Sequence, residues 1–235
     1  MRFLVDYSKY LITTIVLAAS SPLLSQADAD MVSETVASVS GSVTIIQANG
    51  DPLDDRSNVV VFLDGVSADS NLISTTDPVP VSQNGGRFTP RVLPVIRGTT
   101  LRFFNDDDIF HNVFSLSKAA PFDLGIYPKG TYRDVMLSKT GVIKIYCNIH
   151  PDMVSTVVSL PNPWFDKTGR DGSFVIGHVP PGEYTLRIWH EYGGSLMRPL
   201  VLVAGATHVE SAVIRNTAIS HPHKNKFGKP YRKKY

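Results

Sequence analysis

Ile143-Lys144-Ile145-Tyr146-Cys147-Asn148-Ile149-His150-Pro151-Asp152-Met153 contains the only cysteine of the 235-residue chain. Its first half alternates, so Ile143, Ile145 and Cys147 share one face of a strand while Lys144 and Tyr146 share the other. The thiol is therefore expected to leave the end of a strand on its core-facing side. Asn148 to Met153 breaks the alternation and is expected as a short loop, with Val154 to Leu160 as the next strand. A loop bounded by two strands can hold several side chains in fixed relation.

Moving outward, short runs rich in Val, Ile, Thr, Tyr and Phe recur between Gly and Pro punctuation, with no long 3.6-residue periodicity. Gly41–Ile46, Val59–Leu63 and Thr99–Phe104 read as strands ahead of the quoted stretch. After Pro161-Asn162-Pro163-Trp164, strands are expected in Ser173–Ile176, Glu183–Trp189, Leu200–Val203 and Thr207–Ile214. The fold class is all-β. About 55 residues between 161 and 216 are marginal for an independent core, so that unit is expected to pack on the preceding one.

At the start, Met1-Arg2 and Lys9 precede an apolar run, Leu11–Ala19, and Ser25-Gln26-Ala27 offers small residues for cleavage. This pattern reads as a secretory signal over residues 1–27, with an uncleaved anchor as the alternative. The chain is thus expected to be periplasmic. Residues 28–220 hold 15 basic and 20 acidic side chains (15 − 20 = −5), whereas 221–235 hold six basic and no acidic ones. That basic tail is expected to be disordered and to seek an anionic surface or an acidic partner. Nucleic acid is not an expected partner of an exported chain.

A single cysteine in a chain expected in an oxidising compartment calls for an explanation: an intermolecular disulfide, an inert buried thiol or a metal ligand. The neighbours of Cys147 favour the metal. His150 and Met153 follow at three-residue intervals, and His111 lies 36 positions upstream. One thiolate, two imidazoles and a weak thioether form the donor set of a type 1 copper centre, in which soft sulfur suits Cu(I) and imidazole accepts Cu(II). Zinc is the rival, with Asp152 as its fourth ligand. Asp106-Asp107-Asp108, just before His111, reads as a solvated loop. Trp189-His190-Glu191 reads as a strand-end polar cluster rather than an acid–base pair.

Cys147-x-x-His150-Pro151-x-Met153 resembles the ligand loop of amicyanin-type cupredoxins, and His111-Asn112-Val113 resembles their first-ligand segment. The resemblance implies that Asn112 supports the site from outside the ligand set, tying the two ligand loops together. Phe122–Pro128, Tyr146–Pro151 and Val179–Tyr184 are similar to a bacterial periplasmic group labelled methylamine-utilisation or plastocyanin-like. That likeness implies a cupredoxin Greek-key β-sandwich (38–160), then a small prealbumin-like sandwich of the carboxypeptidase-regulatory type (161–216). The linker (28–37) and the tail (217–235) flank them. It also implies one copper ion bound by His111, Cys147, His150 and Met153, and a one-electron carrier with an unknown redox partner rather than an enzyme. Copper delivery, or a docking module in which copper is structural, is the alternative.

Overall fold

The computed structural model describes residues 36–66, 77–217 and 223–230. The expected signal segment, residues 1–27, lies outside them. The strands, in chain order, are β1 (Ala37–Ile46), β2 (Val60–Asp64), β3 (Val79–Asn84), β4 (Arg87–Thr89), β5 (Val92–Ile96), β6 (Thr100–Asn105), β7 (His111–Ser115), β8 (Phe122–Tyr127), β9 (Tyr132–Met136), β10 (Gly141–Tyr146), β11 (Val154–Leu160), β12 (Phe165–Lys167), β13 (Ser173–Val179), β14 (Gly182–His190), β15 (Gly194–Leu202) and β16 (Thr207–Arg215). No helix occurs among the described residues.

These strands build two β-sandwiches, and their boundary is not the one the sequence suggests. Sheets β5-β11-β10-β7-β8 and β4-β3-β6-β9 enclose one core, which includes Leu101, Phe103, Tyr127, Ile143, Ile145 and Cys147. Sheets β13-β1-β16 and β12-β2-β14-β15 enclose the other, in which Val39, Val43, Ile45, Val61 and Leu63 pack with Phe174, Ile176, Leu186, Ile188 and Ile214. β1 and β2, expected in the first domain, thus belong to the second sandwich, and the first is inserted between β2 and β12. The physical reason is core size: residues 161–216 bury too little apolar surface alone, and β1 and β2 supply the rest. β1 lies between β13, antiparallel, and β16, parallel. Gly41 permits that close pairing, since a Cβ there would stand 1.9 Å from the carbonyl oxygen of Glu210.

The sandwiches meet through their outer faces. Val60 of β2 packs with Val92, Val158 and Leu160, and Phe62, Phe165 and Trp189 close around them. Beside this apolar seam, Glu191 of the β14–β15 turn is almost wholly buried and reaches across to the inserted sandwich. Its carboxylate accepts from Lys144 Nζ at 2.5 Å, Thr156 Oγ1 at 3.0 Å and Arg91 Nη2 at 2.9 Å. A buried charge is tolerated only when paired and hydrogen-bonded in this way. Lys144 and Thr156 lie on β10 and β11, the two strands that bracket the 147–153 loop.

Candidate metal centre

β10 alternates as its sequence predicts, with Ile143 and Ile145 buried and Cys147 continuing that face with no exposed surface. The chain then turns back on itself. Met153 N donates to His150 O at 3.1 Å, and Cys147 N donates to Met153 O at 3.2 Å, so backbone bonds close the loop. Cys147, His150 and Met153 are thereby presented from one braced segment. Met153 is fully buried in the same core cluster as Cys147.

His111 opens β7, which lies next to β10, and is fully buried. Its Nδ1 lies 3.9 Å from Cys147 Sγ, and His150 Nδ1 lies 3.7 Å from the same sulfur. The two imidazole rings meet edge to face with centroids 4.9 Å apart. One donor atom from each of His111, Cys147 and His150 falls within 4.8 Å of the others. Such spacing lets all three reach one ion. Asp152, the zinc alternative's fourth ligand, is exposed and stands outside this group. His150 is only half-buried, so of the three it alone has a path to solvent.

Asp107 was expected in a solvated loop, but its side chain is only 13% exposed and points at His111. His111 Nε2 lies 2.7 Å from Asp107 Oδ2. An ionised carboxylate only accepts, so Nε2 carries a proton, and in the neutral ring it is the Nδ1 lone pair that faces Cys147. Burial alone would push the Asp107 carboxyl up. The N–H of Gly86, the His111 ring and the N–H of Gly85 together hold it below the usual carboxylate range. The two glycines donate at 2.9 and 2.6 Å from the β3–β4 turn. Asp107 and His111 are four residues apart, whereas the Gly85 and Gly86 N–H groups reach the carboxylate only through folding. Asp106 bonds Ser82 and Asp108 bonds Lys129, so the three acids have three different partners.

Asn112, expected to bridge the ligand loops, spends both amide protons on the β8 side. They go to Asp123 Oδ1 at 2.7 Å and Gly125 O at 2.8 Å. β7 and β8 shift register between Asn112 and Phe114, and Gly125 sits opposite with φ 74°, where a side chain would be strained. The amide of Asn112 fills this bulge. The direct tie from its amide protons to the Cys147 loop is not made.

The tail departs from expectation as well. Residues 223–230, placed in a disordered segment by composition, lie against this region. His223 stacks on Tyr146 with centroids 4.2 Å apart and planes 22° from parallel. Lys226 contacts both Asn148 and Asp123. His221 lies outside the described residues. Of the Trp189-His190-Glu191 cluster, Glu191 serves the contact between sandwiches, while burial holds the His190 imidazole below its usual pKa range.

No protein-family model and no curated protein matches the chain. Among solved structures, a purple cupredoxin from Nitrosopumilus maritimus aligns over 35% of this chain and 99% of its own, at 24% identity with a TM-score of 0.32. A reduced amicyanin variant aligns over 43% of this chain and 98% of its own, at 18% identity with a TM-score of 0.35. A copper-containing nitrite reductase from Thermus scotoductus SA-01 aligns over 43% of this chain at 25% identity with a TM-score of 0.36, and only 26% of that protein is spanned. The described residues are all-β, and each of these likenesses is at low identity over part of the chain.

Proposed function

We propose that the chain is an exported type 1 copper protein that carries one electron at a time in the periplasm and changes no covalent bond itself. The convergence of one cysteine sulfur and two histidine Nδ1 atoms in a braced, largely buried pocket carries this reading. Cys147 would hold the ion as thiolate, His111 and His150 as neutral imidazoles, and Met153 as a weak axial thioether. Softness favours copper over zinc, since among the described residues the convergent group holds neither a second thiolate nor a carboxylate. When bound, copper supplies a reversible one-electron couple.

The protein's own contribution is to keep the donors still. The backbone bonds across 147–153 and the Asp107–His111 contact restrain both ligand segments, which keeps rearrangement between oxidation states small. His150 is the electron port. Exposed Ile109, Phe110 and Ile149, on the two segments that carry the ligands, offer an apolar surface to a redox partner. Exposed Lys224 and Lys229 suit an acidic partner or an anionic surface for the tail. Membership of the methylamine-utilisation-like group, and a prealbumin-like character for the second sandwich, complete the proposal.

Loading the purified protein with Cu(II) and recording visible and EPR spectra tests the assignment. An intense thiolate-to-copper band that vanishes in Cys147→Ser is expected. A colourless product, or a spectrum indifferent to that substitution, would reject the type 1 centre. Fast loss of copper to a chelator would instead favour delivery of copper as cargo.

A further inference from the structure

The C-terminal segment builds its own turn before it touches anything else. Gly228 N donates to Asn225 O at 2.8 Å, and Asn225 N donates to Lys229 O at 2.8 Å. Asn225 Oδ1 accepts from Phe227 N at 3.0 Å and from Lys229 N at 3.1 Å. Gly228 has φ 73°, the left-handed conformation that closes the turn. This turn presents Lys226 in two directions. Its backbone N–H donates to Asn148 Oδ1 at 3.0 Å, and its ammonium donates to Asp123 Oδ2 at 2.7 Å. The other oxygen of Asp123 accepts from Asn112 Nδ2 at 2.7 Å.

Asn148 directly follows Cys147, and Asn112 directly follows His111. We propose that Lys226 is a positioning residue that ties the two ligand segments together through the chain Asn112–Asp123–Lys226–Asn148. The tail supplies the bridge that Asn112 does not make directly. Lys226 and Asp123 are 26% and 39% exposed, so the ion pair keeps some water and contributes modestly. The self-closed turn lowers the ordering cost of docking, and the His223–Tyr146 stack adds apolar contact on the opposite face of β10 from Cys147. Its consequence for metal retention rests on the copper reading, but the tie itself does not.

Amide exchange of the metal-free full chain separates the two. Lys226→Met keeps the stem and removes the ammonium, Lys226→Arg restores a cation, and a chain ending at Thr217 removes the whole turn. Exchange in 109–115 and 146–153 is expected to quicken about tenfold in the shortened chain, by a smaller factor in Lys226→Met and little in Lys226→Arg. Amides in β1 and β14 should stay protected, which distinguishes a loosened loop from global unfolding. In copper-loaded protein, transfer to a chelator should accelerate in the same order across the three chains. Unchanged exchange in Lys226→Met would overturn the tie, whatever the shortened chain shows. Faster exchange in a protein that forms no charge-transfer band would uphold the tie and reject the copper centre.

Discussion

Asp107 and His111 form a carboxylate–imidazole pair 2.7 Å long, and the same carboxylate is held by the N–H groups of Gly85 and Gly86. The orientation of a buried donor is thereby fixed from a turn distant in sequence. Partners of this kind set the tautomer and raise the basicity of a metal-bound imidazole. Asp107→Ala is expected to weaken copper binding by about 10–100-fold, measured by chelator competition. Asp107→Asn keeps an acceptor oxygen without the charge, so it should bind better than the alanine variant and raise the reduction potential. An unchanged potential and affinity in both would show that the carboxylate neither orients nor tunes the centre.

Met153 tests the axial position separately from folding. It is 1% exposed and packed with Cys147 and Val157. Leucine nearly conserves its volume, so Met153→Leu should cost less than about 1.5 kcal/mol in thermal unfolding. The thioether is nonetheless lost. Since removing a donor disfavours the more highly charged ion, the potential should rise while the charge-transfer band persists at a shifted position. Voltammetry that finds the same potential would remove Met153 from the ligand set.

Glu191 gives the joined sandwiches a dependence on acid. Burial would raise its carboxyl, but Lys144, Arg91 and Thr156 hold it below the usual carboxylate range. The folded state thus binds fewer protons than the unfolded chain. Its contribution is full above the ordinary glutamate range and is lost as the pH falls through the lower folded value. Glu191→Gln should cost about 2 kcal/mol at neutral pH, less than for a fully buried pair because Arg91 and Lys144 retain water. It should also flatten the acid limb of the stability curve. Urea unfolding across the acid range, followed by fluorescence of Trp189 at the seam, checks both.

How far these features were legible depended on their range. Alternation in Ile143–Cys147 and the three-residue spacing of Cys147, His150 and Met153 are local, so strand, loop and donor order could be read directly. The inward burial of Cys147 followed from the same pattern. Partner choice between distant strands leaves no such mark. β1 alternates equally well against either core, and only its register with β13 and β16 assigns it. Asp107 looked solvated because acidic triplets usually are, and the two glycine N–H groups that change this come from another hairpin. Lys226 sat in a basic run whose composition predicts disorder, while Asn225 and Gly228 encoded a turn that composition alone overlooks.

The insertion of one sandwich into the other makes the sharpest stability prediction. Residues 161–217 lack the inner-face residues Val39, Val43, Ile45, Val61 and Leu63 that complete their core. As an isolated fragment they should not fold, and a dispersed amide spectrum from that fragment would contradict the arrangement. Within the full chain, Gly41→Ala addresses the same pairing. Its Cβ would stand 1.9 Å from Glu210 O, a backbone atom that no rotamer change can move. β1 must then shift from β16, at a cost of about 1–3 kcal/mol or more. The loss should appear as faster amide exchange in β1, β13 and β16, with β10 and β11 unaffected. Uniform acceleration in all five strands would mean that the two sandwiches unfold as one unit through the seam at Val60, Val158 and Leu160.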